Sequence, residues 1–251
     1  MLTHPRDCAA YLILGEAPVL IDCGSGEGHR GLLRNLKRLG IHPRGLAGVL
    51  ATHCHYDHVA GIAALRAHNP DIPLAAHDLD APAIAHADPD LTCAGWMFHA
   101  PMAPARVDET LVGGETFEVA GLEFDVVHTP GHSPGSVCFR LKRDGKSFVF
   151  AGDSLTPSCA RVKGDYDVWA ESLHIIADLD CDVFLPGHAS QMSNPFYTAL
   201  MAPLPWAARR AAFHALQKAR APFWNVASLQ YQYLITPFAR LTDFFARPGQ
   251  A

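Results

Sequence analysis

The stretch "LAGVLATHCHYDHVAGIAALRAHNP", residues 46–70, decides the fold. It begins as a short apolar run of strand length, "LAGVLATH", that ends at a histidine cluster. It ends as "DHVAGIAALRAHNP", where Val59, Ile62, Ala63 and Leu65 follow a helical pattern until Pro70 stops it. Between the two lies "THCHYDH", residues 52–58. In extended geometry His53 and His55 point the same way and Cys54 points opposite. Asp57 and His58 sit where the chain turns into the helix and can aim at an adjacent point. Histidine, cysteine and carboxylate groups cluster in this way where a divalent metal must be held. One turn could thus serve two cations.

The flanks repeat the alternation. "AAYLILGEAPVLIDCG", residues 9–24, reads as a hairpin, and "GHRGLLRNLKRLGI" as a helix with Leu32, Leu33, Leu36 and Leu39 on one face, closing at Gly40. "IPLAAHD" is a further strand. From Glu109 to Leu155 the chain is a run of strands separated by Gly-rich turns, including a hairpin at Asp144-Gly145. "DVWAESLHIIADL" is helical and "DVFLPGH" is one more strand. Two long loops are expected, Ala81–Arg106 and Pro157–Asp167. This pattern predicts an α/β fold: a four-layer αββα sandwich of two mixed β-sheets flanked by helices, occupying residues 1–193. Residues 194–251 are expected to form a helical, aromatic C-terminal extension that caps the site or offers a surface for homo-oligomerisation.

Bulk composition narrows the function. Of 251 residues 49% are hydrophobic and 18% charged, so a sizeable core is expected and global disorder is excluded. A net charge of −5 argues against nucleic acid as a partner. No apolar run approaches membrane-spanning length, so no membrane association is expected. The 7 cysteines are an odd count without a CxxC pair, which fits reduced thiols in a cytoplasmic protein.

Two cations need more ligands than one turn supplies. The sequence offers His132 in "HTPGHSPGS", Asp153 just past the strand "VFAGD", and His188 just past the strand "VFLPGH". Each follows a strand or sits in a tight turn beside glycine. His77, His99, His174 and His214 lack such company and are read as structural. Cys54, on the opposite side of its strand, reads as a small buried thiol.

Taken in this order, "THCHYDH", "HTPGHSPGS", "GDS" and "LPGH" resemble the successive metal-binding motifs of the metallo-β-lactamase superfamily, and "DCG" at Asp22–Gly24 stands where that superfamily has a short acidic turn. The resemblance covers roughly residues 8–190. It implies that His53, His55 and His132 bind a first metal, that Asp57, His58 and His188 bind a second, and that Asp153 bridges them. An aspartate at the bridging position is closer to the glyoxalase II-like, lactonase-like and RNase Z branches than to those β-lactamases with cysteine or serine there. The implied cofactors are two divalent metal ions, zinc favoured by the nitrogen and oxygen donors, with iron or manganese compatible. The implied reaction is hydrolysis: a metal-bridging hydroxide attacks the carbonyl of an ester, thioester, lactone or amide. Asp57 would serve both as ligand and as orienter of the hydroxide. His128 is a candidate outer partner of the ligands.

The substrate is expected to be a small, partly apolar molecule, with Trp96, Met97, Phe98 and aromatics of the tail as candidate walls. Basic glutathione-binding residues are not matched, the tyrosine that lactonases carry three residues after the bridging aspartate is Thr156 here, and Tyr166 is the nearest candidate proton donor. Two alternatives stand beside hydrolysis: a mononuclear-iron persulfide dioxygenase of the same fold, and a ligand-binding regulator with little turnover.

Overall fold

A computed structural model of the chain describes residues 7–156 and 160–188; the expected extension at 194–251, its aromatics and the side chain of Tyr166 lie outside the described residues. The elements in chain order are β1 (Tyr11–Ile13), β2 (Val19–Ile21), α1 (His29–Arg38), β3 (Gly48–Leu50), α2 (Tyr56–Val59), α3 (Ile62–Arg66), β4 (Leu74–His77), α4 (Ala81–His86), β5 (Glu109–Leu111), β6 (Thr116–Val119), β7 (Leu122–His128), β8 (Val137–Arg143), β9 (Lys146–Gly152), α5 (Tyr166–Asp178) and β10 (Val183–Pro186). They form two five-stranded sheets, ordered β1-β2-β3-β4-β5 and β10-β9-β8-β7-β6. Both are mixed. β1 runs antiparallel to β2 while β2 to β5 are parallel; β6 to β9 are antiparallel and β10 joins β9 in parallel.

Alternation along the strands builds the layers, because successive side chains in a strand face opposite sides. In β2 to β4, Leu20, Val49, Leu74 and Ala76 face the helices and pack on Leu32 and Leu36 of α1, Ile62 and Leu65 of α3, and Ile84 of α4. Their neighbours Val19, Ile21, Leu50 and Ala75 face the other sheet. From that sheet Phe124, Val126, Val137, Phe139, Leu141 and Phe150 enter the same layer. On the far side, Cys138, Val149 and Ala151 receive Trp169, Leu173 and Ile176 of α5. The result is helix, sheet, sheet, helix. No helix among the described residues is long and apolar enough to cross a membrane.

The structure corrects three local expectations. Helix α1 buries Leu32 and Leu36, but it ends at Arg38, so Leu39 turns out to solvent at 60% exposure. The segment 56–66 is two short helices, not one. The expected loop Ala81–Arg106 contains α4, with proline in its first turn, and a wide helical turn at Ala94–Phe98. The predicted hairpin joins β8 to β9, with Asp144 and Gly145 both at positive φ, as a two-residue turn compatible with strand twist demands.

Candidate metal centre

All the candidate side chains arrive at one rim, from strand ends of both sheets. His53, His55, Asp57 and His58 lie in the turn between β3 and α2 or in the first turn of α2. His132 lies in the loop from β7 to β8, Asp153 directly after β9, and His188 directly after β10. Six of the seven are at most 6% exposed; the His188 side chain is 19% exposed.

Donor atoms gather in overlapping groups whose members lie within 4.8 Å of one another: His53, His55 and His132; His53, His58 and Asp153; Asp57, His58 and His188. Asp153 stands between the outer two, with Oδ2 3.6 Å from His132 Nε2 and 3.5 Å from His188 Nε2, and Oδ1 3.5 Å from His58 Nε2. Asp57 Oδ2 is 3.0 Å from His188 Nε2. Gly187 makes room for this: a Cβ there would lie 2.5 Å from Asp153 Oδ1. The geometry thus brings together every candidate ligand named from the sequence.

Neighbours fix which ring nitrogen of three histidines carries the proton. The Nδ1 of His132 lies 2.7 Å from the carbonyl oxygen of Thr156, which only accepts, so Nδ1 donates and Nε2 keeps its lone pair in the neutral ring. The Nδ1 of His58 donates to Asp22 Oδ2 at 2.8 Å. The hydroxyl of Thr52 gives its hydrogen to Asp22 at 2.9 Å and so accepts from His53 Nδ1 at 3.1 Å. Three Nε2 atoms are therefore directed inward by partners on the outside. Asp22, at φ 56 just past β2, also accepts from the Thr52 backbone N–H at 2.8 Å. The sequence marks Asp22 only as part of a turn; its hold on Thr52 and His58 is a tertiary fact.

Electrostatics divides the cluster. Burial, together with crowding by His58, His55 and His132, holds the pKa of His53 well below the ordinary histidine value. Burial and the adjacent His132 push His55 down to about 3, and burial lowers His132. These rings are neutral donors. Around His58 and His188 burial again opposes charge, but the balance goes the other way. Cys8, Asp22, Asp57 and Asp153 raise His58 well above its ordinary value, and Asp153 and Asp57 raise His188. The carboxyls are likewise buried, yet His58 and His188 keep Asp57 below the usual range, and His188, His58 and His132 keep Asp153 well below it. The carboxylates thus call for positive charge beside them.

The buried side-chain atoms that find no hydrogen-bond partner among the described residues include His53 Nε2, His55 Nε2 and Asp153 Oδ1. Buried polar atoms are costly when unpaired and are nearly always satisfied. Here they concentrate on one cluster of imidazole and carboxylate donors, a set of residues able to bind metal ions.

Other expected residues fall elsewhere. Cys54 is buried in the helix-side core, as read. His128 stacks on His77 with ring centroids 4.2 Å apart, and its Nε2 donates to the carbonyl of Pro134 at 2.8 Å. Phe98 packs on Tyr56 beside the turn at 5.2 Å, while Met97 is exposed and Trp96 is half-buried beneath the Arg161 guanidinium. Cys8, fully buried, joins Asp22 and His58 on the outer side of the cluster.

Comparison with known proteins agrees with this picture. The sequence is 29% identical over 185 residues to "Thioesterase pkgB" of Emericella nidulans, covering 73% of this chain and 46% of that protein. It is 31% identical over 183 residues to "Atrochrysone carboxyl ACP thioesterase" of Passalora fulva, covering 72% and 47%. The chain therefore spans about half the length of these curated relatives. A metallo-beta-lactamase structure from Cronobacter sakazakii superposes with a TM-score of 0.70 at 22% identity over 92% of each chain, a likeness of fold. Residues 4–188 match the family model for the metallo-beta-lactamase superfamily, the span that carries both sheets and every donor of the cluster, and the chain belongs to that superfamily.

Proposed function

We propose that this chain is a hydrolase that uses two divalent cations, with zinc the favoured metal, to cleave an acyl bond, and that its substrate is a thioester or a related ester. One observation carries the reading: His53 Nε2 and Asp153 Oδ1, buried and without a hydrogen-bond partner among the described residues, belong to a cluster in which the neutral His53, His55 and His132 rings adjoin the ionised carboxylates of Asp57 and Asp153. That combination fits cations and fits little else. His53, His55 and His132 would hold the first ion; Asp57, His58 and His188 would hold the second; Asp153, within 3.6 Å of ring nitrogens of both sets, would touch both. Ions so placed supply Lewis acidity toward a carbonyl oxygen and make water acidic enough to attack at neutral pH. The outer partners Thr156, Thr52 and Asp22 keep His132, His53 and His58 in one tautomer throughout. Asp57, with Oδ2 at the His188 edge, would orient the attacking water and accept its proton. A thioester is preferred over other acyl substrates because the two fungal relatives quoted above are named thioesterases.

The test is metal quantification followed by a hydrolysis screen on the same preparation. We expect close to two equivalents of metal, turnover of acyl thioesters ahead of lactones and β-lactams, loss of turnover on chelation and recovery on adding zinc. A metal-loaded protein that hydrolyses no thioester, ester, lactone or β-lactam overturns the proposal.

A further inference from the structure

We infer that Asp80 is a positioning residue for the first cation site, setting the spacing between the turn that carries His53 and His55 and the loop that carries His132. The inference rests on the metal centre proposed above and adds a residue outside its ligands. Asp80 sits between β4 and α4 and is 1% exposed. It stands at the N-cap position of α4, where an aspartate ordinarily accepts from the helix's own first N–H groups, yet its side chain makes no capping bond. The carboxylate is turned away from the helix and accepts from two other segments. Oδ2 accepts from the backbone N–H of Cys54 at 2.8 Å and from the hydroxyl of Ser133 at 2.7 Å; Oδ1 accepts from the backbone N–H of Gly135 at 2.8 Å.

These partners decide what the carboxylate does. Cys54 lies between His53 and His55, and Ser133 is next to His132. One planar group therefore ties the backbone of a first-sheet turn to the Ser133 hydroxyl and the Gly135 backbone of a second-sheet loop, across 26, 53 and 55 residues of sequence. Ser133 is held a second time, because its N–H donates to Ser136 Oγ at 3.0 Å. The Nδ1 of His55 and the Nε2 of His132 approach to 3.0 Å across the gap that the carboxylate spans from behind. Zinc–nitrogen bonds of about 2.0–2.1 Å tolerate little drift of the donors, so a change in this spacing is felt at the ion. The second trio is held differently, through Asp22 on His58, and none of its side chains bonds to Asp80.

The test uses the full chain with Asp80→Asn and Ser133→Ala. Asparagine keeps the shape of the carboxylate but must turn its amide N–H₂ toward one of the three donors; Ser133→Ala removes one bond of three. Stepwise zinc affinities are read by competition with a chromophoric chelator, beside thermal unfolding of each metal-free protein. We expect Asp80→Asn to weaken one of the two cations by about 10–100-fold and leave the other within about threefold, and Ser133→Ala to weaken the same cation by less. Unchanged affinities, or both affinities falling together with Tm, overturn the inference. Should Asp80→Asn fail to fold, Ser133→Ala decides it by the same criterion. A wild-type chain that takes up fewer than two cations overturns the two-cation reading and this inference with it; two tight cations in the wild type and in both variants overturn this inference alone.

Discussion

The two sheets solve the same problem in opposite ways. The first is mostly parallel, with strands of three or four residues; β2, β3 and β4 are buried on both faces between the second sheet and the helices. It delivers four donors from one contiguous turn, residues 53–58. The second is mostly antiparallel, and its seven-residue strands β7, β8 and β9 run out to exposed positions at one end or along one face. It delivers three donors singly, from three separate strand ends. In the first sheet α2 follows β3 closely, so one βα turn packs four candidate ligands within a few residues. In the second sheet each candidate comes from a different strand end: His132 after β7, in the antiparallel part, and Asp153 and His188 after β9 and β10, the parallel pair that α5 connects.

The contrast is broken most directly at the ligands themselves. Asp153→Asn should lose activity by at least about 10²-fold, beyond the 10–100-fold typical of groups that merely orient a ligand, and should empty both metal positions because Asp153 stands between them. His55→Ala should lose comparable activity yet retain the second ion. Metal content measured beside kcat/KM separates the two, and full occupancy with full activity in either variant would refute the assignment.

Next in size are the packing layers. Phe139, with no exposed surface, fills the space between the sheets. Phe139→Ala should cost about 3–5 kcal/mol, and Leu36→Ala, on the helix side, about 2–5 kcal/mol. Denaturant unfolding of both checks whether the inter-sheet layer is the stiffer one. Chelation should lower the stability of the wild-type protein by roughly 2.7 kcal/mol for each ion that had been present at 100 times its Kd, read as a fall in Tm.

A smaller effect comes from pH at the far end of the rim. His77 is buried with its Nε2 donating to the Val112 carbonyl at 3.0 Å, and burial, then the stacked His128, lower its pKa. Folding therefore favours the neutral ring. Its contribution is complete above the unfolded value near 6.5 and is lost as pH falls below that toward the lowered folded value. His77→Gln should flatten the pH dependence of Tm in that window; an unaltered profile would discount His77 as its source. The smallest effect belongs to Arg161, which pairs with Asp90 at 2.7 Å and lies over Trp96 at 5.3 Å, joining the two expected loop regions on the surface. Both partners of the pair are 55% exposed, so Arg161→Ala should cost no more than about 1 kcal/mol in thermal unfolding.

Legibility in the sequence followed the same division. Residues 52–58 announce themselves because four donors share one short turn. His132, Asp153 and His188 were readable only as a series, each after a strand or in a glycine turn, since nothing local distinguishes Asp153 from any other aspartate. Asp22 and Asp80 were out of reach as working residues. Their roles run through Thr52, Cys54 and Ser133, 30, 26 and 53 residues away, and no spacing rule encodes such a distance. Helix α4 lies inside the expected loop Ala81–Arg106, and its first turn carries Pro82, a position where proline is a start signal. The strands of the first sheet are too short for periodicity to show, so the four layers were inferred from apolar runs and the order of elements, whereas β7 displays its alternation openly.

Cys8 lies fully buried behind His58, and burial pushes its thiol up to about 12. Sulfur coordinates metals as thiolate, and burial favours the protonated form of this thiol. Without a cation beside it Cys8 thus serves as a small, buried filler behind His58, while the seven candidate ligands at the rim offer nitrogen and oxygen.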